Sequence, residues 1–203
     1  MPTLSADALP ELPPPRGYIP VDALTAATAP LDATMRARID EAVAAGLAGE
    51  HGRALEHLAA AEQALDAGNH LGRLLVLANR AQALLDAGDL DAAAREAGAA
   101  LRLARREKQE HWTALASLGV ALAQLARGRR NEARARLGDA VRLFARADDG
   151  PRQVQCHYLL GEVAWIGEDP IRAGSHYRDA LAIARPAGAQ EWIDLLTLRF
   201  EHR

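Results

Sequence analysis

The sequence predicts an all-α chain, an α-solenoid of four helical hairpins closed by a C-terminal capping helix. Three observations carry that prediction. Ala54, Ala93, Ala133 and Ala173 recur at intervals of 39, 40 and 40 residues, and a fixed period of roughly 20 to 50 marks stacked supersecondary units. The chain is 49% apolar but only 4% aromatic, its apolar share being mostly Ala and Leu. Those residues favour helix, whereas the β-branched and aromatic residues of strands are scarce. Gly49, Gly88 and Gly128 fall just where one helix of each pair must stop, and glycine accepts the left-handed conformation of a helix C-terminus.

Residues 1–31 are set apart by proline. Pro2, Pro10, Pro13, Pro14, Pro15, Pro20 and Pro30 lie there, removing backbone donors and pushing each preceding residue toward extended backbone. An extended arm is therefore expected, with Leu9, Leu12, Tyr18, Ile19, Val21 and Leu24 giving it something to bury. The helical repeat domain is placed at 32–203, with Asp32 as the first N-cap.

Helix pairs are expected at 34–47 with 51–67, 73–87 with 90–108, 111–127 with 130–147, and 152–167 with 170–185. A last helix is expected over 190–201. Asp169-Pro170 supplies an N-cap and a proline at the first helical position, where its missing donor costs nothing. Asp149-Gly150-Pro151 marks another boundary, and Pro186 with Gly188 ends the fourth pair. Within each second helix, small residues fall at i and i+7: Ala54 and Ala61, Ala93 and Ala100, Ala133 and Ala140, Ala173 and Ala180. Residues so spaced share one face and let two antiparallel helices approach closely.

At this point the residues resemble the tetratricopeptide repeat family, in a long-period variant of about 40 residues against the usual 34. The fourth unit carries the likeness best through Leu160-Gly161, Ala173, Tyr177, Ala180-Leu181 and Pro186; the second keeps Leu77, Ala81, Leu84, Gly88, Ala93 and Ala100. In the third, Leu118-Gly119 comes two residues early relative to Gly128, and in the first Ala42 and Ala45 replace the larger landmarks. The likeness spans roughly residues 33–201. His111 to Leu118 and Glu191 to Leu198 align at a distance of two periods, so the last helix is read as the opening half of a fifth unit, acting as a cap.

The resemblance implies a protein-protein interaction module, an adaptor or regulatory scaffold whose first helices line an apolar concave groove. Transferred residue by residue, that groove comprises Leu75, Asn79, Gln82, Leu115, Leu118, Leu122, Gln155, Tyr158, Glu162 and Trp165. An amphipathic helix or an extended peptide is the expected occupant, and the proline-rich arm is a candidate occupant from within the chain. Asn79 matches one position of the carboxylate-holding clamp found in some members. Leu75, Leu115 and Gly119 stand where its other donors belong, which argues against that activity.

Two alternatives come from the residues themselves. Between Arg102 and Arg146 eleven basic residues face four acidic ones, a net of +7, which suits phosphate or an acidic protein. The whole chain is nevertheless at −3, and Trp112 and Phe144 are the only aromatic residues among these arginines, so a solvated face is favoured over nucleic-acid binding. In the last helix Trp192, Leu195, Leu196 and Phe200 occupy more than one side, which suggests an oligomer face and a homodimer.

Catalysis is not expected. No glycine-rich phosphate loop is present, and His51 and His57 lack metal-ligand spacing, so neither metal nor cofactor is predicted. Cys156 and His157 are adjacent and point about 100° apart on a helix, and His176 with Asp179 forms a pair without a nucleophile. A single cysteine, an N-terminus without a basic start or apolar core, and no apolar run long enough for a bilayer lead to a cytoplasmic expectation, with no membrane partner.

Overall fold

The computed structural model describes Ile19 and residues 33–201, and these fall into two compact units: Ile19 with 33–123, and 124–201. The described residues form nine helices and no strand: α1 Ala33–Leu47, α2 His51–Gln63, α3 His70–Asp86, α4 Leu90–Arg106, α5 Glu110–Ala126, α6 Arg130–Arg146, α7 Gly150–Ile166, α8 Pro170–Ala184 and α9 Gln190–Glu201. The all-α helical-repeat class read from the sequence is the class observed. In the first unit α1 packs on α2, α2 on α3 and α3 on α4; in the second, α6 packs on α7, α7 on α8 and α8 on α9. Contact between neighbours in sequence is the signature of a solenoid. No helix among the described residues is long and apolar enough to cross a membrane. The expected arm and the Asp32 cap lie outside the described residues, Ile19 excepted.

One backbone device makes seven of the eight joints. A residue in the left-handed region ends each helix, and the next residue's N–H reaches back to a carbonyl five positions earlier. The left-handed residues are Gly49, Gly88, Lys108, Gly128, Asp148, Glu168 and Gly188. The returning bonds run from Glu50 to Ala45 at 2.9 Å, Asp89 to Leu84 at 2.9 Å and Gln109 to Ala104 at 2.9 Å. They continue from Arg129 to Gln124 at 2.8 Å, Asp149 to Phe144 at 3.0 Å, Asp169 to Ala164 at 3.0 Å and Ala189 to Ala184 at 3.1 Å. Asp89, Asp149 and Asp169 then cap the following helix, accepting from Ala92, Arg152 and Arg172. One residue thus closes one helix and opens the next.

The eighth joint departs from expectation. Helix α2 stops at Gln63 rather than 67, and α3 starts at His70 rather than 73. Asn69 caps α3 by accepting from Gly72 N–H at 2.8 Å. Gly72 therefore lies inside the helix, where a Cβ would meet Leu65 and Met35 at 2.6 Å. Close packing, and not a turn, requires that glycine.

The helices are held together by size matching. Ala42, Ala81, Ala121 and Gly161 repeat at 39, 40 and 40 residues and are all buried. The corresponding positions on the second helices hold Leu58, Ala97, Leu137 and Tyr177, also buried. The smallest residue meets the largest: a Cβ on Gly161 would lie 2.3 Å from Tyr177 Cε1. Around that contact Val154, Tyr158, Ala173, Ala180, Trp192 and Leu196 form one core.

Two predictions follow from these joints and contacts. Gly161→Ala has no room, because Tyr177 is fully buried, so overpacking should cost about 1–3 kcal/mol despite the helix preference of alanine. Gly119→Ala meets only Ala97 Cβ at 3.7 Å and should be neutral or stabilise by up to about 1 kcal/mol. Urea unfolding of both variants checks the pair, and equal midpoints would refute the size-matching account. Glu168→Gly should raise stability by about 0.5–1 kcal/mol, since a left-handed side chain is strained and glycine is not; an unchanged or lowered melting temperature would count against it.

Candidate functional site

The groove residues expected from the sequence divide between the two units, and their surroundings differ. In the first unit, Leu75, Asn79 and Gln82 share one face of α3, as i, i+4 and i+7 spacing demands. Leu75 and Asn79 are buried, and Gln82 is half-buried with its Nε2 donating to Asp86 at 2.7 Å. Leu115, Leu118 and Leu122 are buried on α5.

Asn79 is the residue whose chemistry is most exacting. A carboxamide offers both an acceptor and donors, and in a site with no accessible surface each must find a partner. Asn79 Oδ1 accepts from the Ile19 backbone N–H at 2.7 Å, and Asn79 Nδ2 donates to the Ile19 carbonyl at 3.0 Å. Both bonds are buried, and Ile19 itself is only 4% exposed. One residue exchanges both of its backbone groups with the amide, just as paired residues do across antiparallel strands. The sequence contains the reason for this match: Pro20 follows Ile19 and disfavours the helical region for it.

The rotation of α3 that presents Asn79 is fixed by the next residue. Arg80 reaches Glu96 of α4 with Nε at 3.0 Å and Nη2 at 2.8 Å, and Nη1 pairs with Glu62 of α2. With Arg80 held between α2 and α4, Asn79 is turned about 100° away, toward Ile19.

In the second unit two of the expected groove residues make contacts within the chain. Glu162 is buried at 4% exposure; it accepts from the Tyr177 hydroxyl at 2.5 Å and from Arg199 Nη2 at 3.1 Å. Arg199 also donates to the Tyr158 hydroxyl at 3.1 Å. Burial, with the Glu162 charge, holds the Tyr158 phenol above its ordinary pKa. Glu162 and Tyr158, expected among the groove residues, anchor α9 to α7 and α8. Gln155 is buried with no partner for its Nε2 among the described residues, and Trp165 is exposed at 41%.

The face of α9 expected to meet another copy is largely turned inward. Trp192 and Leu196 are buried in their own chain, with Tyr158 and Trp192 rings 5.7 Å apart. Phe200 stacks edge-on against Tyr177 at 6.2 Å, and Leu195 is partly buried. Leu198 is the large apolar side chain that α9 exposes. Sequence reasoning did not anticipate Arg199, which satisfies Glu162 from 37 positions away.

Four arginines of the middle repeats have carboxylate neighbours. Arg106 pairs with Glu107 at 2.9 Å, Arg142 and Arg136 with Asp139 at 2.5 and 3.9 Å, and Arg129 with Glu132 at 3.8 Å. A cavity of about 500 Å³ in the second unit is lined by Arg129, Arg130, Arg134 and Arg172, with Glu132 and Asp169 on the same wall. Asp169 is already engaged there as the cap of α8.

Cys156 is buried, and burial pushes its thiol well above the ordinary range. A thiolate is therefore disfavoured, and with it a nucleophilic role. Beside it, His157, His176 and Asp179 bring their ligand-type atoms within 4.8 Å of one another. Their geometry was not foreseen beyond the His176–Asp179 pair.

No protein-family model matches the sequence, and no curated protein matches it. Solved structures do. The apo form of RapI superposes with a TM-score of 0.74 at 12% identity, over 82% of this chain and 62% of its own. Aspartyl phosphate phosphatase F from Bacillus subtilis superposes with a TM-score of 0.73 at 13% identity, over 82% of this chain and 45% of its own. The chain thus spans about half to three-fifths of the length of these two proteins. At such identities the likeness is one of fold: the arrangement of helices is shared, while the site residues are this chain's own.

The histidines lead to a pH prediction. Burial is the main reason both imidazoles titrate below their ordinary value; Asp179 opposes it for each, while His176 adds to it for His157 and Arg172 for His176. The folded chain then binds fewer protons than the unfolded chain below the ordinary value of 6.5. Stability should therefore fall as pH drops through that value toward the lowered folded pKa. Urea midpoints at pH 7.5 and 5.5 measure it: the His157→Gln, His176→Gln double variant should lose part of the wild-type drop, and an identical drop would refute the assignment.

Proposed function

We propose that the chain is a protein-interaction module of the long-period tetratricopeptide type, an adaptor or regulatory scaffold without catalytic activity of its own. It binds an extended peptide segment of a protein partner. The observation that carries this reading is the double hydrogen bond between the Asn79 carboxamide and the backbone of Ile19. A site that satisfies main-chain groups recognises extended backbone first and side chains second, as peptide-binding surfaces do. Leu75 beside Asn79, with Leu115, Leu118 and Leu122, supplies the apolar lining on this unit. In the other unit, Tyr158 and Glu162 are engaged by α9.

The nucleic-acid reading loses support from the carboxylates that accompany the middle arginines. The fold likeness to RapI and to aspartyl phosphate phosphatase F is consistent with a regulatory scaffold and assigns no partner.

Selection of random 12-residue peptides displayed against the immobilised full chain tests the proposal. Enriched peptides should bind in solution and lose at least about tenfold in affinity on Asn79→Ala, one to two lost buried hydrogen bonds being worth that much. A library that yields no binder, or binders indifferent to Asn79, would refute the reading.

A further inference from the structure

We infer that the chain carries its own ligand: Ile19 occupies the Asn79 site in cis, and an incoming peptide binds by displacing it. The inference rests on the reading of Asn79 as a peptide site and goes beyond it by naming the resident occupant and the chemistry of the competitor.

Three features of Ile19 are those of a bound peptide residue and not of a core residue. It lies 60 positions from Asn79 in sequence, outside the repeat that builds the helices. Its main chain is held by a side-chain amide, a contact any residue other than proline at that position can make. Its sequence context, Tyr18-Ile19-Pro20, keeps the backbone extended through the proline. An element needed only for packing has no use for a paired amide; leucine at position 79 would fill the same space without a polar group to satisfy.

The competitor follows from the same chemistry. Asn79 needs one residue with both its N–H and its carbonyl free and turned to one side, so the ligand is extended at that residue. Ile19 is buried, so the ligand residue there is a branched aliphatic. Proline at the next position preserves both conditions, because it restricts its neighbour while taking no hydrogen bond from it. The partner is therefore a protein presenting an extended segment with a branched aliphatic residue followed by proline. A resident segment lowers the apparent affinity for that partner by the fraction of time the site stands free, which makes the arm a threshold on binding.

The full-length chain tests this with a fluorescein-labelled peptide of residues 14–24 and its anisotropy as readout. The Ile19→Asp chain, whose resident residue no longer suits a buried apolar position, should bind the peptide at least about tenfold more tightly than wild type, as release of a site occupied nine-tenths of the time requires. Adding Asn79→Ala to Ile19→Asp should abolish the gain. Equal binding by wild type and Ile19→Asp, with display-selected peptides still dependent on Asn79, would overturn the cis occupant and leave the peptide site standing. Lower melting temperature in Ile19→Asp without any gain in peptide binding would mark Ile19 as packing only and also overturn it. A reading free of variants is the exchange of the Ile19 amide in the wild-type chain: protection that collapses when unlabelled peptide is added in excess supports displacement, and an amide that exchanges as fast as an open chain overturns the contact.

Discussion

A helix that must stop, reverse and restart within two or three residues leaves carbonyls at one end and amides at the other without partners. This chain meets the first need with a left-handed residue at seven joints and, at three of them, the second with a capping Asp that follows it, and most of the fold follows. The left-handed position lets the following N–H turn back to the last free carbonyl. The next residue, often Asp, then accepts from the first turn of the new helix. Such a joint sets the reversal angle locally, so each helix is aimed back along its predecessor before any tertiary contact forms. Repeating it every twenty residues makes neighbours in sequence the main partners each helix buries against.

Given that aim, the distance between helices is set by side-chain volume. The fourth unit shows it most directly: Tyr177 occupies the space that a Cβ at Gly161 would take. Its hydroxyl then falls beside Glu162, and the pair creates a buried negative charge that Arg199 of α9 answers. A single glycine therefore leads to an aromatic ring, the ring to a buried carboxylate, and the carboxylate to the docking of the last helix. A terminal helix tied by a charged hydrogen bond of that kind is oriented as well as covered, and the apolar residues that suggest an oligomer face in isolation find cover at home.

The sequence shows the joints wherever glycine occupies them and hides them wherever it does not. Gly49, Gly88, Gly128 and Gly188 are legible because no other residue adopts their conformation without strain. Lys108, Asp148 and Glu168 adopt it because the surrounding joint demands it, and nothing in a lysine or a glutamate announces that. The helices are legible through the Ala and Leu period, whereas the span between α2 and α3 is not, since Gly72 resembles a break and acts as a packing site. The site is the least legible part. Asn79 and Arg199 have no distinguishing pattern along the chain; each is defined by a partner 60 or 37 positions away, and periodicity carries no information about pairs of that kind.

What gives Asn79 its meaning is the cost of burying an amide in a face that is otherwise leucine. With no accessible surface, its carbonyl and amino groups each forfeit water, and an unsatisfied one costs roughly 1–3 kcal/mol. The helix cannot relieve this, because its own backbone groups are bonded to one another. The nearby carboxylates Glu62 and Glu96 are engaged by Arg80. A donor and an acceptor turned to the same side are then required, and Ile19 supplies them as its own backbone N–H and carbonyl. Asn79 is thus satisfied in the first unit by the backbone of a residue 60 positions away.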